Sequence, residues 1–377
     1  MSKDVILHLP AWSTVPTTVT TTTTATPAKK VTVLYFITGN PGLIGYYAEF
    51  LELVTRGQKG RECVIVGASL GGFERGGSNS NLSTRTSTTT LEDKVCEGML
   101  WPKGFERKDI YDLRDQIELC YRRLVQLIEN LKSCVGSIDD ATVFQVVLAG
   151  HSVGAYIALE IVRRQHEDIM LKSKSSGALF SIIATILLTP TINNISHSSS
   201  GRITAPVLGY LPFFPSLLQL GTSSLTAILP TSWLHGIVER ITRMKNAHAV
   251  NTTVGFLQTP GAVREALYMA GCEMQEIGED QWTDEVWGAV NAAEPVKDNI
   301  SEMIWFAPKH YFLFAKEDHW VADVTRDSIM KTMHDRATVL LDENQKLGLV
   351  HAWCLQQNGT VAEVVNGWIH EILDGVR

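Results

Sequence analysis

Residues Val143–Tyr156 read VFQVVLAGHSVGAY. An apolar, β-branched run (Val143, Phe144, Val146, Val147, Leu148) stops at Gly150-His151-Ser152-Val153-Gly154, and small, helix-compatible residues follow at once. The first part predicts a buried strand and the last part a helix. The five residues between them fit G-x-S-x-G, the sharp strand-to-helix turn that lifts a serine above a sheet edge. Both glycines have a mechanical role. The turn strains the serine backbone, and side chains at the flanking positions would collide with the neighbouring strand and helix. Ser152 then stands exposed, with the Val153 N–H free to hold an oxyanion. The bare pentapeptide arises easily by chance; its strand–turn–helix setting carries the reading.

Elements on either side fit the same architecture. Val5–Leu9 is a short strand candidate, and Val31–Thr38 (VTVLYFIT) is a strong buried strand ended by the tight turn Gly39-Asn40-Pro41-Gly42. A helix is predicted over Tyr46–Thr55 and a second buried strand over Glu62–Ala68. Asp109–Lys132 is amphipathic, with Ile110, Leu113, Ile117, Cys120, Leu124, Leu127 and Leu131 at three- and four-residue spacing. A helix to about His166 and a strand at Leu179–Leu188 follow the serine turn. After an irregular stretch the pattern resumes with strand His310–Ala315, helix Val324–Met333, strand Ala337–Leu341 and a closing helix Val361–Leu373. This alternation predicts an α/β-hydrolase fold: a mostly parallel sheet flanked by helices, with an inserted cap or lid segment. The core is expected over residues 1–189 and 306–377, and the cap over 190–305. Residues 11–28, rich in Thr, and 71–90, rich in Ser, Thr and Gly, read as low-complexity loops.

The 377 residues suffice for one large domain, or one domain plus a lid. Apolar residues make up 45% and charged residues 19%, a core-forming and slightly greasy composition. The net charge of −7, without a long basic run, argues against a nucleic-acid partner. Six scattered cysteines without C-x-x-C read as reduced thiols of an intracellular protein. Val5–Leu9 is too short for the apolar core of a secretory signal, so none is expected and the five N-x-S/T sequons read as chance matches. No H-E-x-x-H, paired Cys/His spacing or phosphate-binding loop is present, so neither a metal nor another cofactor is expected. Nothing in the chain sets an oligomeric state.

A serine nucleophile needs a base, and the base an orienting carboxylate. In this fold the chain order is serine, acid, histidine, with the acid after a late strand and the histidine after the last one. Strand His310–Ala315 runs into Lys316-Glu317-Asp318-His319-Trp320, which makes Asp318 the acid and Glu317 its competitor. His351 follows strand Ala337–Leu341 and precedes the closing helix, the placement expected of the base. His319 adjoins Asp318, and neighbours in an extended loop point in different directions. For the oxyanion, the loop after the early strand supplies the second donor. Pro41 has no N–H, which leaves Asn40 N–H to act with Val153 N–H. A serine at the elbow also argues against haloalkane dehalogenase and epoxide hydrolase chemistry, which needs a carboxylate there.

Several motifs go beyond the fold: Gly39-Asn40-Pro41-Gly42 with Tyr46-Tyr47, Tyr111-Asp112-Leu113-Arg114-Asp115-Gln116-Ile117-Glu118, and Gly150 to Tyr156. Pro190-Thr191-Ile192 leading to Gly201-Arg202-Ile203, Asp318 with Trp320, and His351-Ala352-Trp353 continue the series. On these, spread over residues 31 to 373, the chain resembles the lipid droplet-associated hydrolase family, serine-hydrolase-like α/β proteins of eukaryotes. The resemblance maps nucleophile, acid and base onto Ser152, Asp318 and His351. It implies a lipid-ester substrate, of the sterol ester or acylglycerol class, and association with lipid droplets.

Ile203–Val238 contains no Asp, Glu, Lys or Arg, and Pro206, Pro212, Pro215 and Pro230 interrupt it. A straight membrane-spanning helix is not expected there. The segment suits a hairpin or interfacial element on a droplet monolayer or endoplasmic reticulum surface, or a lid packed over the cleft. Three functions stay open. The first two are a serine acyl-ester hydrolase at the droplet surface and a hydrolase-fold protein of negligible turnover that binds and remodels droplets. A soluble thioesterase or carboxylesterase whose apolar stretch is only a lid is a third.

Overall fold

The computed structural model describes residues 4–10, 30–58, 63–74, 90–134, 142–171, 179–211, 213–244, 246–288 and 307–375. The Thr-rich stretch 11–28 and residues 75–89 of the second low-complexity stretch lie outside them, as does Pro212.

The strands are β1 (Val5–His8), β2 (Lys30–Ile37), β3 (Cys63–Ala68), β4 (Val143–His151), β5 (Ser181–Leu188), β6 (Lys309–Phe314) and β7 (Ala337–Leu341). They form one sheet in the order β1-β3-β2-β4-β5-β6-β7. β1 pairs antiparallel with β3, and every other pairing is parallel. β2 and β3 are buried along nearly their whole length, as strands covered on both faces must be. The helices of the core are α1 (Ala48–Gly57), α2 (Leu91–Val95), α3 (Leu113–Cys134) and α4 (Val153–Leu171). Adjacent β2 residues show which face each helix covers. Phe36 meets Phe50 of α1, whereas the Tyr35 hydroxyl donates to the Cys120 carbonyl of α3 at 3.2 Å. Successive strand side chains point to opposite faces, so α1 and α3 lie on opposite sides of the sheet.

Most boundaries fall within a few residues of expectation, and the shifts have local causes. The long amphipathic helix starts at Leu113 rather than Asp109 because Asp112 caps it. The Asp115 N–H donates to Asp112 Oδ1 at 2.8 Å and the Asp112 N–H to Asp115 Oδ2 at 3.2 Å. The helix expected at Tyr46 opens as a 3₁₀ turn over Ile44–Tyr47 before α1.

Between β5 and β6 the described chain is helical: α5 (Ser199–Tyr210), α6 (Phe214–Ile228), α7 (Thr231–Thr242), α8 (Ala247–Gln258) and α9 (Ala262–Glu276). Helices α10 (Asp323–Met333) and α11 (Asn358–Gly375) complete the core, with α11 packed on α1. Ala249 of α8 and Ala262 and Met269 of α9 join the main core, while α7 and α8 share a small core of Leu234, Val238, Val250 and Val254. α5 and α6 pack on α9 but bury little of themselves: α6 has no buried residue and α5 only Gly201. No single described helix is long and apolar enough to cross a membrane; α5 and α6 reach that only together, with a 96° bend between them.

Candidate active site

Because β2, β4, β5, β6 and β7 run parallel, their carboxyl ends gather at one sheet edge. Ser152 stands at the end of β4, one residue before α4. Its φ is +54°, a left-handed conformation that costs a serine strain. The surrounding turn enforces it. A Cβ on Gly150 would run into the Gly154 carbonyl, and one on Gly154 into the Ile37 carbonyl of β2. The Ser152 N–H donates to the Leu188 carbonyl at 3.1 Å, tying the turn to β5.

The structure brings Ser152, His351 and Asp318 into one hydrogen-bonded line. His351 Nε2 lies 3.0 Å from Ser152 Oγ, and His351 Nδ1 lies 2.8 Å from Asp318 Oδ2. Asp318 Oδ1 accepts the N–H groups of Trp320 and Val321 at 2.8 and 3.1 Å. Burial opposes ionisation of Asp318, but the His351 hydrogen bond and charge and the two backbone donors outweigh it and hold its carboxyl below the usual range. A carboxylate can only accept, so Nδ1 carries the proton and Nε2 is left to accept from the serine hydroxyl. That is the protonation pattern a base needs to activate a hydroxyl. The imidazole and carboxylate are 7% and 3% exposed, so little water competes for these bonds.

Neither competitor is in the hydrogen-bonded line, although the His319 ring lies edge-on to His351 with centroids 5.9 Å apart. Glu317 is exposed and its Oε1 accepts from Gln345 Nε2 at 3.3 Å. His319 is exposed, and its backbone carbonyl accepts from the Ser200 N–H and the Ser199 hydroxyl.

Asn40 lies in the loop after β2, and Val153 directly follows Ser152. Among the described residues neither backbone N–H has a partner. Gly39 cannot share that role, since its N–H donates to the Tyr47 hydroxyl at 3.0 Å. Val153 opens α4, whose dipole adds positive potential at that end. Asn40 is held by α9: its Nδ2 donates to the Ala266 carbonyl and to Glu273 Oε1, both at 2.9 Å. Burial pushes the Glu273 carboxyl up to about 7, with only the Asn40 bond pulling the other way.

Sequence reasoning missed a second histidine network. His151 Nε2 lies 2.9 Å from the His351 backbone carbonyl and Nδ1 lies 2.7 Å from the Tyr47 hydroxyl. A carbonyl only accepts, so Nε2 carries the proton, Nδ1 accepts from Tyr47, and the Tyr47 oxygen accepts from Gly39. Burial, helped by repulsion from His351, drops His151 to about 3, so it stays neutral and keeps this tautomer. Thr189 Oγ1 also donates to the His351 carbonyl, at 3.3 Å, and Thr191 Oγ1 lies 3.4 Å from Ser152 Oγ. One signal for His151 was present: a histidine ending a mostly apolar strand is buried and has to be paired, though with what the sequence does not say.

Among the described residues no group of three or more His, Cys, Asp or Glu side chains is placed to hold a metal ion. The six cysteines are free thiols.

A parallel sheet with a strained serine between strand and helix, and a histidine and carboxylate on later loops, defines an α/β-hydrolase. Within that class the chain belongs to the lipid-droplet associated hydrolase family, whose model matches residues 30–354. Similar curated proteins are lipid droplet-associated hydrolases. The one from Gallus gallus is 24% identical over 343 residues, covering 89% of this chain and 84% of the relative. That from Rattus norvegicus is 25% identical, covering 90% and 85%, and that from Homo sapiens 24% identical, covering 78% and 76%. Among solved structures, similarity extends to the peroxisomal alpha-beta-hydrolase Lpx1 of Saccharomyces cerevisiae, at 14% identity and a TM-score of 0.48 over 98% of this chain and 89% of that one. An epoxide hydrolase from Vigna radiata is 12% identical with a TM-score of 0.46, covering 91% and 93%.

Proposed function

We propose that this hydrolase cleaves acyl esters of lipids, of the sterol ester or acylglycerol class, at the lipid droplet surface. Ser152 attacks the ester carbonyl, His351 takes its proton and passes it to the leaving alcohol, and Asp318 holds and stabilises the imidazole. The amides of Asn40 and Val153 receive the oxyanion, and water activated by His351 releases the acyl group from Ser152. The observation that carries this reading is the hydrogen-bonded line from Ser152 through His351 to Asp318, at 3.0 and 2.8 Å. The helical segment 199–276 acts as the cap. The names of the relatives and the apolar side chains exposed on α5–α7 support the droplet surface as the place of action. A fluorophosphonate probe should label the wild-type chain and not Ser152→Ala. Emulsions of cholesteryl oleate and triolein then distinguish the two ester classes by the fatty acid released. Equal labelling of Ser152→Ala would remove Ser152 from the mechanism.

The exposed apolar surface of α5–α7 also favours a second reading, a protein that binds and remodels droplets with negligible turnover. Restoration of droplet morphology by Ser152→Ala in depleted cells would favour it.

A further inference from the structure

We infer that Glu273, on the last described helix of the segment inserted between β5 and β6, is a positioning residue for the oxyanion hole: it holds the Asn40 side chain so that the Asn40 N–H faces the reacting carbonyl. The inference rests on the hydrolytic reading above.

Glu273 is 4% exposed and pairs with no cation among the described residues. A carboxyl buried without a counter-charge costs stability, and here one bond offsets part of it, the one to Asn40. The helix geometry makes that bond specific. Helical carbonyls point toward the C-terminus, while side chains lean toward the N-terminus. The Ala266 carbonyl and the Glu273 side chain, seven residues apart on α9, therefore converge on one spot, and the two hydrogens of the Asn40 amide meet both acceptors. Because Ala266 offers only a carbonyl, the amide cannot flip without placing oxygen against oxygen.

The anchored side chain belongs to the residue whose backbone N–H is free. On one side of it Gly39 N–H is committed to Tyr47, and on the other Pro41 has none. Fixing the Asn40 amide at its far end limits rotation of the peptide plane carrying that N–H. Preorganised donors are what make an oxyanion hole effective. The same α9 supports α5 and α6, so the anchor ties the donor loop to the inserted segment.

The test uses the full chain, p-nitrophenyl butyrate turnover and fluorophosphonate labelling. Glu273→Ala should lower kcat about 10- to 100-fold with KM within about twofold, less than outright removal of a donor. Glu273→Gln, which keeps an acceptor oxygen, should recover kcat to within about threefold of wild type. Asn40→Ala loses the Ala266 bond as well, so it should be at least as slow as Glu273→Ala, and the double variant should be no slower than Asn40→Ala, because the Asn40–Glu273 bond is lost in both singles. If Glu273→Ala does not fold, Asn40→Ala and Glu273→Gln still decide. A normal kcat in Glu273→Ala or Asn40→Ala, a Glu273→Gln as slow as the alanine variant, or multiplying defects would overturn the inference while leaving Ser152 in place. A wild-type chain that neither labels nor turns over would remove the hydrolytic reading, and this inference with it.

Discussion

Replacing Tyr47 with Phe removes one oxygen that makes two buried hydrogen bonds. The ring should stay where it is. It is packed with centroids 4.8 Å from Phe36 and 5.8 Å from Trp353, and Phe preserves both contacts. What is lost is the acceptor for the Gly39 N–H at 3.0 Å and the donor to His151 Nδ1 at 2.7 Å. Each buried group left without a partner costs about 1–3 kcal/mol, so the variant should lose about 2–6 kcal/mol. That is a large share of a typical stability of about 5–15 kcal/mol, and for a chain of this length corresponds to a fall in Tm of roughly 2–8 °C. Tyr35→Phe is the control. Tyr35 is equally buried, but its hydroxyl donates only to the Cys120 carbonyl, which keeps its partner within α3. Its loss should cost about 1 kcal/mol. Thermal unfolding by circular dichroism, read on both variants at one pH, measures the difference. A Tyr47→Phe protein no less stable than Tyr35→Phe would refute the assigned proton directions, and with them the neutral, Nε2-protonated His151.

Glu265→Gln should raise Tm at pH 8 and leave it nearly unchanged at pH 5. Burial holds the Glu265 carboxyl up to about 8, against a reference of 4.5, and Glu74 beside it is pushed up to about 7. A carboxyl whose folded pKa is raised gives stability present below the unfolded value and lost as pH rises through the folded one. Gln keeps an acceptor for the Tyr111 N–H without that loss, and equal Tm changes at both pH values would refute the assignment. Phe213→Ser, Leu220→Ser and Ile228→Ser together should weaken binding to phospholipid-coated triolein droplets about 100- to 10,000-fold, since each apolar side chain entering lipid contributes about 1–2 kcal/mol. These side chains are 77%, 65% and 80% exposed, so the folded state should lose little. Unchanged flotation with droplets would remove this face as the contact.

The elbow and the order of the site residues were legible because both follow from chain-local rules. A β-branched run such as VFQVVLAG, eight residues long and ended by a turn, favours a covered strand over a helix, and G-x-S-x-G after it leaves one serine at the turn. Asp318 and His351 followed from the strands they succeed, which compositional runs identify well. Tyr47, Glu273 and the partners of His151 were not legible, because these pairings lie 104, 233 and 200 residues apart in sequence. Helices α5 and α6 were missed for a different reason. Proline argues against a continuous helix, yet Pro206 lies inside α5 and Pro215 in the first turn of α6, where a proline is tolerated. These helices bury almost nothing, which leaves their apolar side chains exposed.

Sheet register, more than any single loop, governs whether the three site residues meet. β4 and β6 are separated only by β5, and strands lie about 4.8 Å apart, so the ends that carry Ser152 and Asp318 are about 10 Å from each other. An imidazole with a hydrogen bond on each side spans about that gap, which is where His351 arrives from the loop after β7. Its backbone carbonyl, gripped by His151 from the end of β4 and by Thr189 from the end of β5, fixes where the ring begins. A slip of one residue along β4 would carry Ser152 about 3.3 Å, longer than the bond it makes, and would turn its side chain to the other face. The Gly154 approach to the Ile37 carbonyl blocks that slip, because any other register sets a side chain against β2. The glycines of the elbow thus act at long range: by fixing β4 against β2 they set the reach that His351 has to span.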